Sequence, residues 1–217
     1  MEPFYFEKFN STHGKKISEI LNSLWGFGNN IKHQKTADKF GKAYLYYCLS
    51  HSDYAWTLCS GKGIIGITAW HELSKNKIKS SDKISFVKKN IYFLKAFFNA
   101  LPIFFVKDFT YQVKAWKTFF KECNLQEKEL PCAFDSELIL FVNDSKVRGQ
   151  GTGKLMMEFY KEKLKSHHLE TFFLHTDTEC NYGFYDRAGL KRKLTKVVNE
   201  KNGSLQDKWE IFIYANK

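Results

Sequence analysis

The chain has 217 residues, of which 43% are hydrophobic and 26% are charged, and its formal net charge is +11. This composition excludes an intrinsically disordered chain and allows one sizeable hydrophobic core. The positive charge favours anionic ligands, which leaves nucleic acid, an acidic protein, an anionic membrane or a polyphosphate cofactor open.

The N-terminal part predicts a short strand at 4–9 and two helices at 15–23 and 38–50. The first residues show no basic segment leading into an apolar one, so we expect no signal peptide and a cytoplasmic location. Two runs rich in β-branched and aromatic residues follow at 54–59 and 64–70. A turn with two glycines joins them, which is typical of a β-hairpin.

Residues 73–131 are rich in Lys, Phe and Ile without strand alternation, and predict two helices at 82–100 and 108–123. The longest apolar stretch, 91–106, is interrupted by Lys95, Asn99 and Pro102. It is shorter than the roughly 20 residues that a membrane-spanning helix needs. We therefore expect a buried or lid-forming helix and no membrane span.

The C-terminal third has the clearest pattern. A nearly continuous apolar run at 136–142 predicts a strand covered on both faces. A helix at 152–166 follows, because its apolar residues recur every three or four positions. A strand at 171–175, a helix at 179–188 and two strands at 190–199 and 209–214, around a turn at Asn202-Gly203, complete an α/β or α+β fold.

Five cysteines form an odd set, and no two of them have CxxC spacing. This argues against a disulfide framework and against a structural zinc site, and we expect no metal.

A glycine-rich segment, Arg148-Gly149-Gln150-Gly151-Thr152-Gly153, lies between the strand at 136–142 and the following helix. Glycines at a helix start expose backbone N–H groups, which together with the helix dipole form an anion site. A Walker A loop is excluded because Arg148 and Leu155 occupy its glycine and Ser/Thr positions. The Rossmann spacing also fails, since its third glycine would fall on Lys154 or Met156.

The segment 148–153 resembles the RxxGxG acyl-CoA motif of the GNAT superfamily of N-acetyltransferases. Downstream, Tyr185-Asp186-Arg187-Ala188-Gly189-Leu190 is similar to the second signature of that family, and Glu137-Leu138 stands at the position of a glutamate base. The resemblance covers 134–214 closely and 54–70 loosely. In one departure, Thr178 and Asn181 occupy positions where the family commonly has Asn and Ala.

The resemblance implies a single GNAT domain over 1–217, with a mixed, mostly antiparallel sheet flanked by helices. It implies acetyl-CoA as co-substrate and direct attack by a primary amine in a ternary complex. Glu137 would be the general base and Tyr185 the acid toward the departing thiolate. The implied cofactor-binding residues are Phe141, Val142, Asn143, Arg148, Gly149, Gln150, Gly151, Thr152, Gly153, Lys154 and Asn181.

The sequence leaves open which residue is the base and whether the domain is catalytic. His71 or His175 could act as base instead of Glu137. The domain could bind acyl-CoA as a sensor or scaffold without catalysis. A nucleic-acid partner is not expected, because the chain has no helix-turn-helix or RNP-like pattern.

The position of the segment 73–131 follows from strand pairing. If 64–70 pairs antiparallel with 136–142, this insertion leaves the sheet at the start of the core strand, at the end opposite the glycine-rich loop. It would then lie near the acceptor side. Its many aromatic residues would line an acceptor pocket, or else form the insertion's own core or a homodimer interface.

Overall fold

A computed structural model of the chain describes residues 3–25, 34–74, 80–105, 110–130, 132–198 and 209–217. The seven strands are β1 (Tyr5–Lys8), β2 (Tyr54–Ser60), β3 (Gly63–Glu72), β4 (Ser136–Asn143), β5 (Phe172–Asp177), β6 (Lys191–Val198) and β7 (Trp209–Ala215). The α-helices are α1 (Gly14–Trp25), α2 (Gln34–His51), α3 (Phe86–Ala100), α4 (Thr110–Lys128), α5 (Thr152–Ser166) and α6 (Gly183–Arg187).

The strands form one mixed sheet in the order β1-β2-β3-β4-β5-β7-β6. Every neighbouring pair is antiparallel except β4 and β5, which run parallel. The expected α/β fold with a mostly antiparallel sheet is thus confirmed. The antiparallel pairing of β3 with β4, on which the position of the segment 73–131 depends, is present and runs from Gly66 opposite Asn143 to Glu72 opposite Ser136.

Hydrophobic cores cover both faces of the sheet. On one face, Ile17 and Leu49 from α1 and α2 pack in a cluster with Leu140 of β4. On the other face, Tyr160 of α5 packs in a cluster with Leu138 of β4. Because β4 contributes to both clusters, its side chains are apolar on both sides, which explains its nearly continuous apolar sequence.

The helices α3 and α4 lie in the segment that the sequence identifies as an insertion. Its first residue, Leu73, donates a backbone hydrogen bond to Asp135 O (2.8 Å), directly before β4 begins. Farther along, Gln126 in α4 donates through Nε2 to Ile211 O of β7 (3.2 Å). The segment therefore leaves the sheet at the start of β4, and α4 returns over the far half of the sheet. Its description as an insertion stays a prediction.

For two helices the sequence predicts a start several residues before the observed one. The α3 helix starts at Phe86 because Ser85 is its N-cap and accepts a hydrogen bond from Lys88 N. The α6 helix starts only at Gly183, since the Asp177 carboxylate accepts from Glu179 N (2.9 Å) and holds that segment in a turn. The predicted turn at Asn202-Gly203 lies outside the described residues.

No helix in the described part of the chain is long and apolar enough to cross a membrane.

Candidate active site

The sheet opens between its two parallel strands. The register of β4 with β5 covers only Ser136 opposite Phe172 and Glu137 opposite Phe173. Beyond Glu137, β4 keeps β3 as its partner but no longer pairs with β5. One row of backbone N–H and C=O groups of β4 therefore faces a gap. The pairing with β3 is also irregular between Ala69 and Trp70, as in a β-bulge, a feature often found next to active sites.

The glycine-rich loop lies at the end of β4 and leads into α5. Gly149 (φ +81°) and Gly151 (φ +75°) adopt left-handed backbone conformations, which glycine tolerates best. Gly151 is the N-cap of α5 and provides no side-chain hydrogen bond to it. The first N–H groups of any α-helix have no intrahelical acceptor, and those of α5 also lack a side-chain acceptor from the N-cap. They are oriented to bind an anion, and the helix dipole adds to this preference.

The remaining loop residues divide into anchoring and exposed ones. Thr152 is buried, and its Oγ1 accepts a hydrogen bond from Asn143 Nδ2 (2.8 Å), which ties the end of β4 to the start of α5. A Cβ added at Gly153 would lie 3.1 Å from Cε2 of Phe184, so this glycine allows α5 and α6 to approach each other. Solvent-exposed residues of the loop and of the first turn of α5 are Arg148, Gly149, Gln150, Gly151 and Lys154.

Tyr185 of α6 packs beside the same gap. Its ring lies 6.4 Å from that of Phe141 in β4 and 5.6 Å from that of Tyr214 in β7. Burial raises the pKa of Tyr185, and the nearby Cys180 and Asp177 raise it further, so its hydroxyl stays protonated at neutral pH. Asn181 is exposed in the turn before α6, where its backbone O accepts from Phe184 N.

Glu137 lies at the opposite end of β4 from the loop, roughly 20 Å from Asn143 at a strand rise of about 3.3 Å per residue. It is partly buried. Burial raises the pKa of Glu137, the Glu127 charge also raises it, and His175 and His71 oppose the shift. An ionised carboxylate with a raised pKa binds a proton more tightly than an exposed one, which suits a general base.

The structure adds one residue that the sequence did not suggest. Glu127 of α4 lies beside Glu137, and its Oε1 is 3.0 Å from His175 Nε2. The side chain of His175 is only 9% exposed. Among the described residues, one potential ligand atom from each of Glu127, Glu137 and His175 lies within 4.8 Å of the others. Sequence spacing could not reveal this group, because α4 and the sheet meet only in the folded chain.

Two carboxylates and an imidazole are also ordinary metal ligands. In this group, however, His175 and Glu127 already use a ligand atom each in their mutual hydrogen bond. Burial raises the pKa of the nearby Cys123 thiol, and the charges of Glu127, Glu137 and Asp177 raise it further. The arrangement therefore presents negative charge to a bound ligand, whether that ligand is an ammonium group or a metal ion.

His71, the other histidine considered as a base, has a different environment. It lies directly opposite Glu137 in the β3–β4 pairing. Its Nδ1 is 2.7 Å from Oδ2 of the buried Asp53. This contact holds the ring and leaves its second nitrogen as the one that could exchange a proton.

Comparisons with known proteins bear on the fold. No family model matches the chain, and no curated protein matches its sequence. One similar solved structure, assigned as a phosphinothricin N-acetyltransferase, has 7% identity and a TM-score of 0.55, over 99% of this chain and 98% of its own. A GNAT-family protein from Desulfovibrio desulfuricans, assigned as an acetyltransferase, has 9% identity and a TM-score of 0.51, over 98% of both chains.

A third solved structure, assigned as an acetyltransferase from Acinetobacter baylyi, has 10% identity and a TM-score of 0.51, and the match covers 99% of this chain and 92% of that one. The chain therefore has the fold of the GNAT acetyltransferases, as its motifs had indicated.

Proposed function

We propose that this protein is an N-acetyltransferase that moves an acetyl group from acetyl-CoA to a primary amine in a ternary complex. The observation that carries the proposal is the gap between β4 and β5. It has an exposed, glycine-rich helix start at one end and a carboxylate with a raised pKa at the other.

In this proposal the CoA pyrophosphate binds the N–H groups at the start of α5. The Arg148 and Lys154 side chains, both exposed at that point, add positive charge. The pantetheine arm runs along the row of β4 backbone groups that lacks a strand partner, where Phe141, Val142 and Asn143 supply hydrogen bonds as a neighbouring strand would. Asn181, exposed before α6, contacts the arm from the other side.

The acceptor amine enters from the face of the sheet that carries Glu137. The helices α2 and α4 lie over this face. The Glu137 charge raises the pKa of Tyr47 in α2, and the Glu127 charge of α4 raises the pKa of Glu137. Tyr185, by contrast, packs within the cluster on the α5 face. The gap between the strands joins the two faces, which brings the amine and the thioester together from opposite sides.

The chemical step then proceeds in one direct attack. The ammonium gives a proton to the Glu137 carboxylate, and the neutral amine nitrogen forms a bond to the thioester carbonyl carbon. A backbone N–H of β4 stabilises the carbonyl oxygen as negative charge develops on it. The carbon–sulfur bond breaks, and the thiolate takes a proton from the Tyr185 hydroxyl. The attacking nitrogen still carries one proton more than an amide needs, and it releases this proton to restore the Tyr185 hydroxyl. Burial raises the pKa of Tyr185, so its hydroxyl carries the proton that the thiolate needs.

Glu127 and His175 support the base in this proposal. They lie on the acceptor side, and their hydrogen bond fixes the imidazole next to Glu137. When protonated, His175 lowers the pKa of Glu137, whereas Glu127 raises it. The pair therefore sets the range of pH in which Glu137 can accept a proton.

The proposal is tested by incubating the purified protein with acetyl-CoA and a panel of primary amines, and by measuring release of the free CoA thiol. The panel should contain diamines, amino acids, aminoglycosides and a peptide N-terminus. Amine-dependent thiol release that is lost in Glu137→Gln and Tyr185→Phe supports the enzyme. CoA binding without release on any acceptor, equal in the wild type and both variants, would instead indicate a binding module.

A further inference from the structure

The outward half of α3 is almost entirely apolar. Phe86 is 80% exposed, and Phe98 is 65% exposed. The same surface continues into the following 3-10 turn, Leu101–Phe105, where Phe105 is 81% exposed. We call this surface the α3 face, and its exposed apolar members are Phe86, Val87, Ile91, Phe93, Leu94, Phe97, Phe98, Phe104 and Phe105.

The exposed apolar residues of the α3 face lie together on one side of the helix. The buried Tyr92 and Ala96 mark the side of α3 that packs on the protein. At 100° per residue the exposed apolar positions occupy the opposite half, with Asn90 as the one polar residue among them. A helix that is apolar on both sides is normally covered on both sides. Contiguous exposed apolar surface of this kind marks a binding surface.

Positive charge accompanies this surface. Residues 73–121 contain eleven lysines and two aspartates, with no Arg or Glu, in a chain whose formal net charge is +11. On α3 itself, Lys88 is exposed and Lys95 lies over the Tyr46 ring (5.1 Å to its centroid), both at one edge of the apolar half. The whole segment 73–131, which adds Lys128 and three glutamates, has a net charge of +7 out of the +11 of the chain. Lys83 and Lys89 pair with the buried Glu72 and Asp53, and the other lysines of the segment carry its excess positive charge.

We propose that the α3 face docks on an anionic lipid membrane, with α3 lying in the plane of the interface. Phenylalanine and leucine side chains on one side of a helix, with lysines at its edge, are the pattern of interfacial helices. The lysines would lie at the level of the lipid headgroups, where negative surface potential attracts them. Long lysine side chains can reach the headgroups while their methylene stems lie along the apolar surface.

A second copy of this chain is the competing occupant. Two α3 faces packed against each other would bring two lysine-rich segments together without any acidic partner on α3, whose described residues include no Asp or Glu. Like charges at such an interface oppose association. An anionic membrane avoids this repulsion, because it has an apolar interior for the phenylalanines and negatively charged headgroups for the lysines.

The test is co-sedimentation of the full-length protein with vesicles. One set contains phosphatidylcholine with about 30% phosphatidylserine, and the other contains phosphatidylcholine alone. We expect partitioning onto the anionic vesicles to be at least about tenfold higher, and to weaken as salt is raised. Phe97→Ser with Phe98→Ser should reduce it by about tenfold or more, and Lys88→Glu should reduce it on anionic vesicles.

Matched controls separate this from general effects. Val197→Ser changes an exposed apolar residue of β6, and Lys161→Glu changes an exposed lysine of α5. Both should partition like the wild type, and circular dichroism should show all variants folded. The proposal is overturned if the protein does not bind anionic vesicles, or if the controls lose binding equally. It is also overturned if light scattering finds a dimer that the two Phe substitutions dissociate.

Discussion

At the scale of single residues, the Glu137 carboxylate lowers the stability of the folded protein when it is ionised. An ionised carboxylate in a partly buried position is costly unless a cation or several donors compensate for it. Here burial is the largest cause of the raised pKa, and His175 and His71 offset it only in part. A group whose folded pKa is raised destabilises the native state above that pKa, and the cost disappears as the pH falls through it.

Replacing Glu137 with Gln should therefore separate activity from stability. We expect the rate of thiol release to fall by about 10²–10⁴-fold, the usual contribution of a general base. The thermal midpoint at neutral pH should stay unchanged or rise, since the variant removes a poorly compensated charge. Steady-state kinetics and thermal unfolding measure the two effects.

Glu162→Gln is the matched control, because Glu162 is an exposed carboxylate of α5 away from the gap. It should alter neither quantity. If Glu137→Gln kept full activity, the base would have to be sought elsewhere.

The pH dependence of activity can distinguish Glu137 from His175 as base. Protonated His175 lowers the pKa of Glu137, so His175→Gln should raise that pKa. The acid limb of the pH–rate profile should then move to higher pH, while activity on the alkaline side persists. Initial rates measured across the acid range test this. Loss of activity at every pH, with the fold intact, would instead make His175 the base.

At the scale of secondary-structure elements, the start of α5 depends on glycine conformation. Alanine at Gly151 would retain a φ of +75°, which costs an L-residue about 1–2 kcal/mol. We expect Gly151→Ala to lower the affinity for CoA by about tenfold or more, because the loop can avoid this cost only by leaving the left-handed conformation, which turns its N–H groups away from the pyrophosphate. Isothermal titration calorimetry measures this affinity.

Gly63 provides the control for backbone strain, since it also has a positive φ (+115°) but lies in the β2–β3 hairpin. Gly63→Ala should reduce thermal stability while leaving CoA affinity unchanged. Equal losses of affinity in both variants would mean that strain, and not the site, causes the effect.

Elements differed in how far the sequence could specify them. The α5 helix was predicted with its observed bounds, because its apolar spacing and the glycine before it are both local signals. The α6 helix was predicted too long, since the turn held by the Asp177 carboxylate has no counterpart in apolar periodicity. Glu127 escaped prediction altogether, because its role depends on how α4 packs against β5 and β7.

The aromatic residues of the segment 73–131 are a second feature whose packing the sequence could not specify. Sequence alone allowed them to line an acceptor pocket, to form the insertion's own core or to make a homodimer interface. In the structure they divide. Among the described ones of α4, Trp116 packs on Phe40 of α2, and Phe119 stacks on Trp209 of β7. Those of α3 mostly face solvent. Burial cannot be read from composition when both sides of a helix are apolar.

At the scale of the whole molecule, a buried charge network joins the sheet to the helix α3. Asp53, only 3% exposed, accepts from the backbone N of Glu72 and pairs with Lys89 of α3 (2.7 Å). His71 and Lys89 hold the pKa of Asp53 well below its usual range, against the opposing effect of burial. Glu72, also buried, pairs with Lys83 and with His167 at the end of α5.

Asp53→Asn should destabilise the protein by about 1.5–3 kcal/mol, because the partly buried Lys89 ammonium and His71 ring lose their carboxylate partner. A depressed folded pKa means that the contribution of Asp53 is present above its unfolded pKa and is lost as the pH falls toward the folded value. The difference between wild type and variant should therefore shrink in acid. Urea denaturation at neutral and acidic pH measures it, and a difference independent of pH would contradict the assignment.

The central claim, a CoA site at the start of α5, is tested most directly by thermal unfolding with acetyl-CoA, CoA and ATP in parallel at fixed salt. A ligand that binds only the native state adds about 2.7 kcal/mol at one hundred times its dissociation constant. We expect both CoA species to raise the midpoint, whereas ATP, which lacks the pantetheine arm, should not. If none of the three raises it, or if ATP does so equally, the assignment of the gap between β4 and β5 is wrong.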